Sequence, residues 1–252
     1  MKILLSPAKS LDYSKSIEKP FVNQASFLKE TEQLVTKLKK IKPKKFMEMM
    51  HISSDLAHLN YERYQAWTSP TEESEVVKTC IEVFNGEVYK GLDPFSWNET
   101  ELIRANEQIR ILSGLYGMLK PLDLVYPYRL EMGTKWQITP KVKNLYAFWS
   151  HKLTKQLNTE KPEEVLNLAS AEYNKVINFK QLKAKVITPT FKDISNGSYK
   201  VVMMYAKHAR GAMANYCIKN NITSLEELKI YDVDGYTFDA KTSTETEWNF
   251  IR

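Results

Sequence analysis

Four short stretches each set a cation beside a polar or acidic group at a spacing that could serve chemistry. They are Lys9 and Asp12 in SPAKSLD (6–12), Arg129 and Glu131 at the end of SGLYGMLKPLDLVYPYRLEM (113–132), Glu172 and Lys175 in NLASAEYNK (167–175), and Lys207 with Arg210 in YAKHARGAMANYCI (205–218). Cations offered from several loops suit an anion such as phosphate, in a small ligand or in a nucleic-acid backbone. Backbone binding alone gives no reason to mix in acids. Carboxylates among cations tune each other's pKa, so Glu131, Glu172 or Asp12 could transfer protons while Arg129 or Arg210 stabilises an anion. The simpler alternative is that each carboxylate orients its neighbouring cation.

Each stretch carries its own local logic. Pro7 stiffens the first loop and aims Lys9. Strand periodicity at Tyr128–Met132 buries Tyr128, Leu130 and Met132 and puts Arg129 and Glu131 side by side on the other face, toward a shared cleft. Gly114 and Gly117 turn the chain ahead of that segment, and Pro121 and Pro127 hold its return path. Glu172 and Lys175, three apart, share one face of a helical turn just past a strand end, where open α/β sheets form binding crevices. Lys207, His208 and Arg210 crowd the first turn of a helix expected at Ala206–Asn220, with Gly211 beside them, an arrangement suited to an anion. A fifth feature, KLKKIKPKK at 37–45, holds six lysines in nine residues. It reads as a solvated helix end and loop or as a track for phosphates.

These residues need elements to position them. Ile3–Leu5 reads as a buried strand. Helical spacing covers Ser26–Lys40, then Lys44–Ile52 after Pro43, then a piece capped by Ser53 and Ser54 that runs to Trp67. A helix is expected from Thr71 to Val83 or Phe84, broken by Asn85-Gly86, followed by a short segment at Val88–Tyr89. Glu99–Gln108 is helical and feeds a strand at Ile109–Ser113; Tyr146–Leu157 is helical. Strands are expected at Glu164–Ala169, Val186–Phe191, Tyr199–Tyr205 and Tyr236–Phe238, with Asn196-Gly197 as a turn. Met203, Met204 and Met213 are assigned to the core. The fold class is α/β to α+β: one domain over 1–252, a mixed sheet with surrounding helices and a helical lobe at about 27–84.

The totals exclude several classes of function. The 252 residues are 43% hydrophobic and 26% charged, an ordinary globular composition, and carry a formal charge of +6. No run is long enough to span a membrane, and MKILLSPAKS does not read as a signal sequence. Cys80 and Cys217 form no C-x-x-C pair, so both are expected as buried thiols in a reducing cytoplasm. His51, His58, His151 and His208 have no metal-ligand spacing, and neither a P-loop nor a G-x-G-x-x-G fingerprint occurs, so no metal and no cofactor are expected.

SPAKSLD, SGLYGMLKPLDLVYPYRLEM, NLASAEYNK, YAKHARGAMANY and DGYTFD (234–239), in that order along the chain, resemble the YaaA family of bacterial peroxide-stress proteins. The resemblance implies a cytoplasmic protein that limits free intracellular iron, with a single-domain mixed fold particular to the family. It also implies DNA binding through a positively charged cleft and a helix-hairpin-helix element that favours duplex and distorted or branched DNA. That element falls at about Phe46–Trp67, beside the lysine cluster. Its hairpin lacks the usual glycines; Ser and Asn side chains between Ser53 and Asn60 would donate hydrogen bonds instead. Lys39, Lys40, Lys42, Lys44, Lys45, Ser53 and Ser54 would then meet phosphates, and Lys9, Arg129, Lys175, Lys207 and Arg210 would line the cleft. With no ligand cluster in the sequence, any effect on iron is indirect. The first reading is a non-enzymatic DNA-binding protein; the rival is an enzyme acting on a nucleotide or a damaged nucleic acid.

Overall fold

The apolar runs become the centre of one mixed sheet in the computed structural model, which describes residues 1–195 and 197–252. The strands are β1 (Lys2–Leu5), β2 (Ser10–Leu11), β3 (Lys78–Thr79), β4 (Phe84–Asn85), β5 (Ile109–Ser113), β6 (Gly117–Leu119), β7 (Leu124–Val125), β8 (Glu164–Asn167), β9 (Lys185–Ser195), β10 (Ser198–Lys200), β11 (Thr237–Asp239) and β12 (Glu247–Ile251). Eight of them build the sheet in the order β11-β12-β9-β8-β1-β5-β6, with β10 hairpinned onto β9. The pairings β5/β1, β1/β8, β8/β9 and β9/β12 are parallel; β5/β6, β9/β10 and β11/β12 are antiparallel. Parallel strands covered on both faces need side chains that are apolar throughout, which is why KILL and the ILS of IRILS sit at the middle. The two charges in these strands, Lys2 and Arg110, share Glu160: Lys2 Nζ reaches it at 3.2 Å, and Arg110 makes a forked contact through Nε and Nη2 (2.7–3.0 Å).

The helices are α1 (Leu28–Leu38), α2 (Pro43–Met50), α3 (Ser54–Ala66), α4 (Cys80–Val83), α5 (Glu87–Leu92), α6 (Glu99–Gln108), α7 (Leu145–Thr159), α8 (Ala171–Asn174) and α9 (Met203–Lys219). α2 and α3 join through His51–Ser53. His51 takes the left-handed conformation (φ 52°), and the Ser53 hydroxyl accepts from the Leu56 N–H as the cap of α3. Pro43 at the start of α2 loses nothing, since a first-turn N–H has no helical partner. α9 crosses α5 at two glycines. A Cβ on Gly211 would overlap the Val88 carbonyl oxygen and lie 2.7 Å from the Leu92 nitrogen; one on Gly91 would lie 2.8 Å from the Ala212 nitrogen. The two backbones touch directly, which fixes α9 against α5.

Three expected elements differ. The helix from Thr71 reduces to α4, because Glu82 is drawn inward to accept from the Thr79 N–H, Thr79 Oγ1 and the Ile17 N–H, making Thr79 the start. The strand Tyr199–Tyr205 stops at Lys200 and α9 begins at Met203, where the Ala206 N–H already reaches the Val202 carbonyl. Met203 and Met204 are therefore not core: they are 61% and 55% exposed, while Met213 is buried as expected. Tyr128–Met132 joins no sheet. Its alternation comes from Tyr64 OH donating to the Arg129 carbonyl (2.7 Å), a Tyr128–Ser113 hydroxyl contact (2.7 Å), and Gly114, whose lack of a side chain admits the Leu130 carbonyl. Asn196 of the expected Asn196-Gly197 turn lies outside the described residues; Gly197 has φ +73°. β12, which the sequence reading missed, fills the gap between β9 and β11.

Candidate functional site

β1 and β8 are adjacent and parallel, yet the chain leaves β1 for β5 on one side and β8 for β9 on the other. Loops that diverge from neighbouring strand ends leave a crevice between them. Here the loops are Ser6–Ser10 and Leu168–Ser170, stitched at the base by the Ser170 N–H donating to Ser6 Oγ (2.9 Å), with the two hydroxyls 3.2 Å apart. Tyr89 of α5 donates its hydroxyl to the Ser6 carbonyl (3.0 Å). With α5, α8 and the first half of α9 as further walls, the crevice is a cavity of about 530 Å³.

Three cations line it: Lys9, Lys207 and Arg210. Lys9, whose side chain is 61% exposed, reaches Glu131 Oε1 at 3.2 Å, and Arg129 Nη2 reaches the same oxygen at 2.9 Å. Glu131 is thus a buried carboxylate shared by two cations, and the Arg129–Glu131 pair stands behind Lys9 instead of forming the wall itself. Arg129 Nε is buried without a hydrogen-bond partner.

Lys207 and Arg210, three apart, share the face of α9 turned to the cavity. Among the described residues neither makes an ion pair or a side-chain hydrogen bond. Burial alone holds the Arg210 guanidinium below its ordinary pKa, with no carboxylate to offset the loss of water. Because α9 starts at Met203, these cations lie in the second turn, beyond the free N–H groups; the expected first-turn arrangement is replaced by side chains acting on their own.

The remaining candidates fall around this centre. Glu172 lines the cavity and accepts from the Gly133 N–H (3.0 Å); Lys175 is exposed, off the cavity, and forms no ion pair with it among the described residues. Asp12 accepts from the Ser14 hydroxyl (2.6 Å) and N–H (2.9 Å), which hold its carboxyl below the usual range, and Lys9 is paired elsewhere. In the lysine cluster, Lys39 donates to the Trp67 carbonyl (3.2 Å), Lys45 pairs with Glu48 (3.0 Å) and Lys42 lies 5.9 Å from the Tyr61 ring centre. Lys40 and Lys44 are exposed. None of the five lines the cavity, and neither do Ser53, the cap of α3, and Ser54, whose hydroxyl meets His58 Nδ1 (3.4 Å).

Sequence reasoning passed over Ser6, Ser170 and Tyr89. The two serines stand just past the ends of β1 and β8 inside motifs already singled out, so position was the available signal; Tyr89 carried none. A second hollow of about 310 Å³ lies on the other side of α9. There His208 Nε2 is 3.6 Å from Asp234 Oδ2, and Arg252 stacks on Tyr236 (4.4 Å) while pairing with Asp193 (2.6 Å). Among the described residues no three His, Cys, Asp or Glu side chains could hold a metal, and no helix is long and apolar enough to cross a membrane. Cys80 and Cys217 are free and buried, and burial raises both thiol pKa values.

Comparison with known proteins gives consistent matches. The family model described as peroxide stress protein YaaA matches residues 1–242. A UPF0246 protein of Janthinobacterium sp. is 46% identical over 256 aligned positions, which cover 100% of this chain and 98% of that protein. UPF0246 proteins of Saccharophagus degradans and Flavobacterium psychrophilum are each 45% identical; both alignments cover 100% of this chain, and 99% and 100% of those proteins.

Proposed function

This chain belongs to the peroxide stress protein YaaA family, and from that premise we propose that it serves the peroxide response in the cytoplasm by binding DNA, through backbone phosphates, at the cleft lined by Lys9, Lys207 and Arg210. The observation that carries this reading is Arg210: a desolvated guanidinium facing a cavity with no carboxylate partner among the described residues. A half-buried cation left in that state is stabilised by an anionic ligand, and phosphate matches the guanidinium fork. The exposed Lys40, Lys42, Lys44 and Lys45 extend the basic surface onto the helical lobe. In the helix-hairpin-helix reading of 46–67, the left-handed turn at His51 stands where a glycine would otherwise let backbone approach phosphate.

The acids fit an orienting role: Glu131 holds Lys9 and Arg129 at fixed separation, and Glu172 holds Gly133. Glu172 also lines the cavity, and that observation keeps the enzymatic reading, on a nucleotide or damaged nucleic acid, as the second one.

The test is fluorescence anisotropy with labelled single-stranded, duplex and four-way-junction DNA across a salt series. It compares the wild type with Lys207→Glu/Arg210→Glu and with Glu131→Gln. Each neutralised duplex phosphate contributes about −0.9 to the slope of log K against log salt, so three cleft cations give about −3 or steeper. The double reversal abolishes binding, and Glu131→Gln leaves most of it. Undetectable or salt-insensitive binding rejects the proposal.

A further inference from the structure

We infer that the 530 Å³ cavity receives a single nucleotide swung out of a DNA strand, its phosphate on Lys207 and Arg210 and its base against the apolar wall. This rests on the reading of the cleft as a DNA-binding surface and names what enters it. A duplex is far too wide for such a cavity, whose size suits one small organic molecule of the order of 300–1,000 Å³ sites. Phosphate contacts alone call for a basic surface, with no need of a hollow behind it.

The lining has two characters. Cations stand on the α9 side and at the exposed mouth, where Lys9 sits, while Val88, Leu168 and Met203 give apolar surface. Asn85 and Glu172 add hydrogen-bonding groups able to read a base edge: an amide that donates and accepts, and a carboxylate whose second oxygen is free to accept from an exocyclic amine. Cations, apolar side chains and hydrogen-bonding groups lining one cavity together match the chemistry of a nucleoside phosphate. A base leaves the stack at a cost that is lowest when it is damaged or mispaired, so such a cavity selects oxidised or mismatched positions.

A nucleotide could come from a strand or from free solution, and two arms separate these sources. In the first, a duplex carrying 2-aminopurine opposite a mismatch is titrated with the full chain, reading fluorescence for unstacking and anisotropy for affinity. The occlusion variant is Ala171→Trp, at an exposed residue of the cavity wall, which fills the hollow and spares the cations. The proposal expects a fluorescence rise with the wild type that is lost in Ala171→Trp, while affinity for fully paired duplex stays within about twofold, the range of a neutral surface change. Tight duplex binding without a fluorescence rise overturns extrusion and leaves the DNA reading standing; a rise retained in Ala171→Trp places the base elsewhere and also overturns it. In the second arm each of the four deoxynucleoside 5′-monophosphates is tested for a rise in Tm of wild type and Arg210→Ala. A wild-type shift lost in Arg210→Ala, without any DNA binding, assigns the cavity to free nucleotides against the extruded source. No shift and no DNA binding reject the nucleotide altogether.

Discussion

Gly211→Ala is expected to destabilise the protein and to weaken its cleft at the same time. In an unconstrained helix the change from glycine to alanine gains about 1 kcal/mol, because glycine loses more chain entropy on folding. Here the added Cβ overlaps the Val88 carbonyl oxygen and lies 2.7 Å from the Leu92 nitrogen. Both are backbone atoms of α5, so no rotamer change relieves the clash and the helices must part. Overpacking of a close contact costs about 1–3 kcal/mol, and with no rotamer to yield the upper part of that range applies. Set against the propensity gain, the net loss is about 1–2 kcal/mol. For a chain of this size that is a fall in Tm of about 2–8 °C. Lys207 and Arg210 ride on α9, so under the proposed reading of the cleft the affinity for DNA should fall as well. Gly86→Ala is the control: its Cβ would meet only Ala8 Cβ, at an ordinary 3.6 Å, and stability should stay within about 0.5 kcal/mol. Thermal melts paired with anisotropy read both effects, and a Gly211→Ala protein as stable as the wild type, or more so, would refute the reasoning.

Two further outcomes are expected. Burial raises the Asp123 carboxyl to about 7, so the folded state holds a proton that the unfolded chain releases near 3.8; its stabilising contribution is complete below pH 3.8 and is lost as pH rises through 7. In urea melts Asp123→Asn should therefore outlast the wild type at pH 8, by more than at pH 5. Under dilute hydrogen peroxide, mass mapping should find Met203 and Met204, 61% and 55% exposed, converted to sulfoxides while Met213, fully buried, stays reduced.

The sequence carried the central strands and long helices because burial on both faces demands apolar runs and amphipathic helices keep a clear period: KILL, ILS and Leu28–Leu38 are of this kind. It also pointed to Lys9, Lys207 and Arg210, which the fold brings to one cavity, Lys9 from the loop after β1 and the other two from the second turn of α9. What it could not carry are arrangements decided at a distance. Alternation at Tyr128–Met132 suggested a strand, but the pattern is imposed by Tyr64, far away in the chain, and by the close approach of Gly114. Glu131 pairs with Lys9 across the same kind of gap, whereas local spacing suggested Asp12 as the partner of Lys9. The apolar residues Val201–Tyr205 suited a strand by composition. There the backbone groups are satisfied within α9, which begins at Met203, instead of along β9.

The placement of β1 has a consequence for how the molecule comes together. Ile3 lies opposite Ile109 on one side and Leu166 on the other, so the strand made earliest in the chain is completed by two that follow after long intervals. Contacts of such high order are slow to form, since the entropy of closing the intervening loops must be met before the pairing stabilises anything. Until β8 arrives, β1 keeps an open edge able to take a stray strand from another molecule. The cleft loops are joined through Ser6 and Ser170 at that same late junction, so an incompletely folded chain is both aggregation-prone and without its cleft.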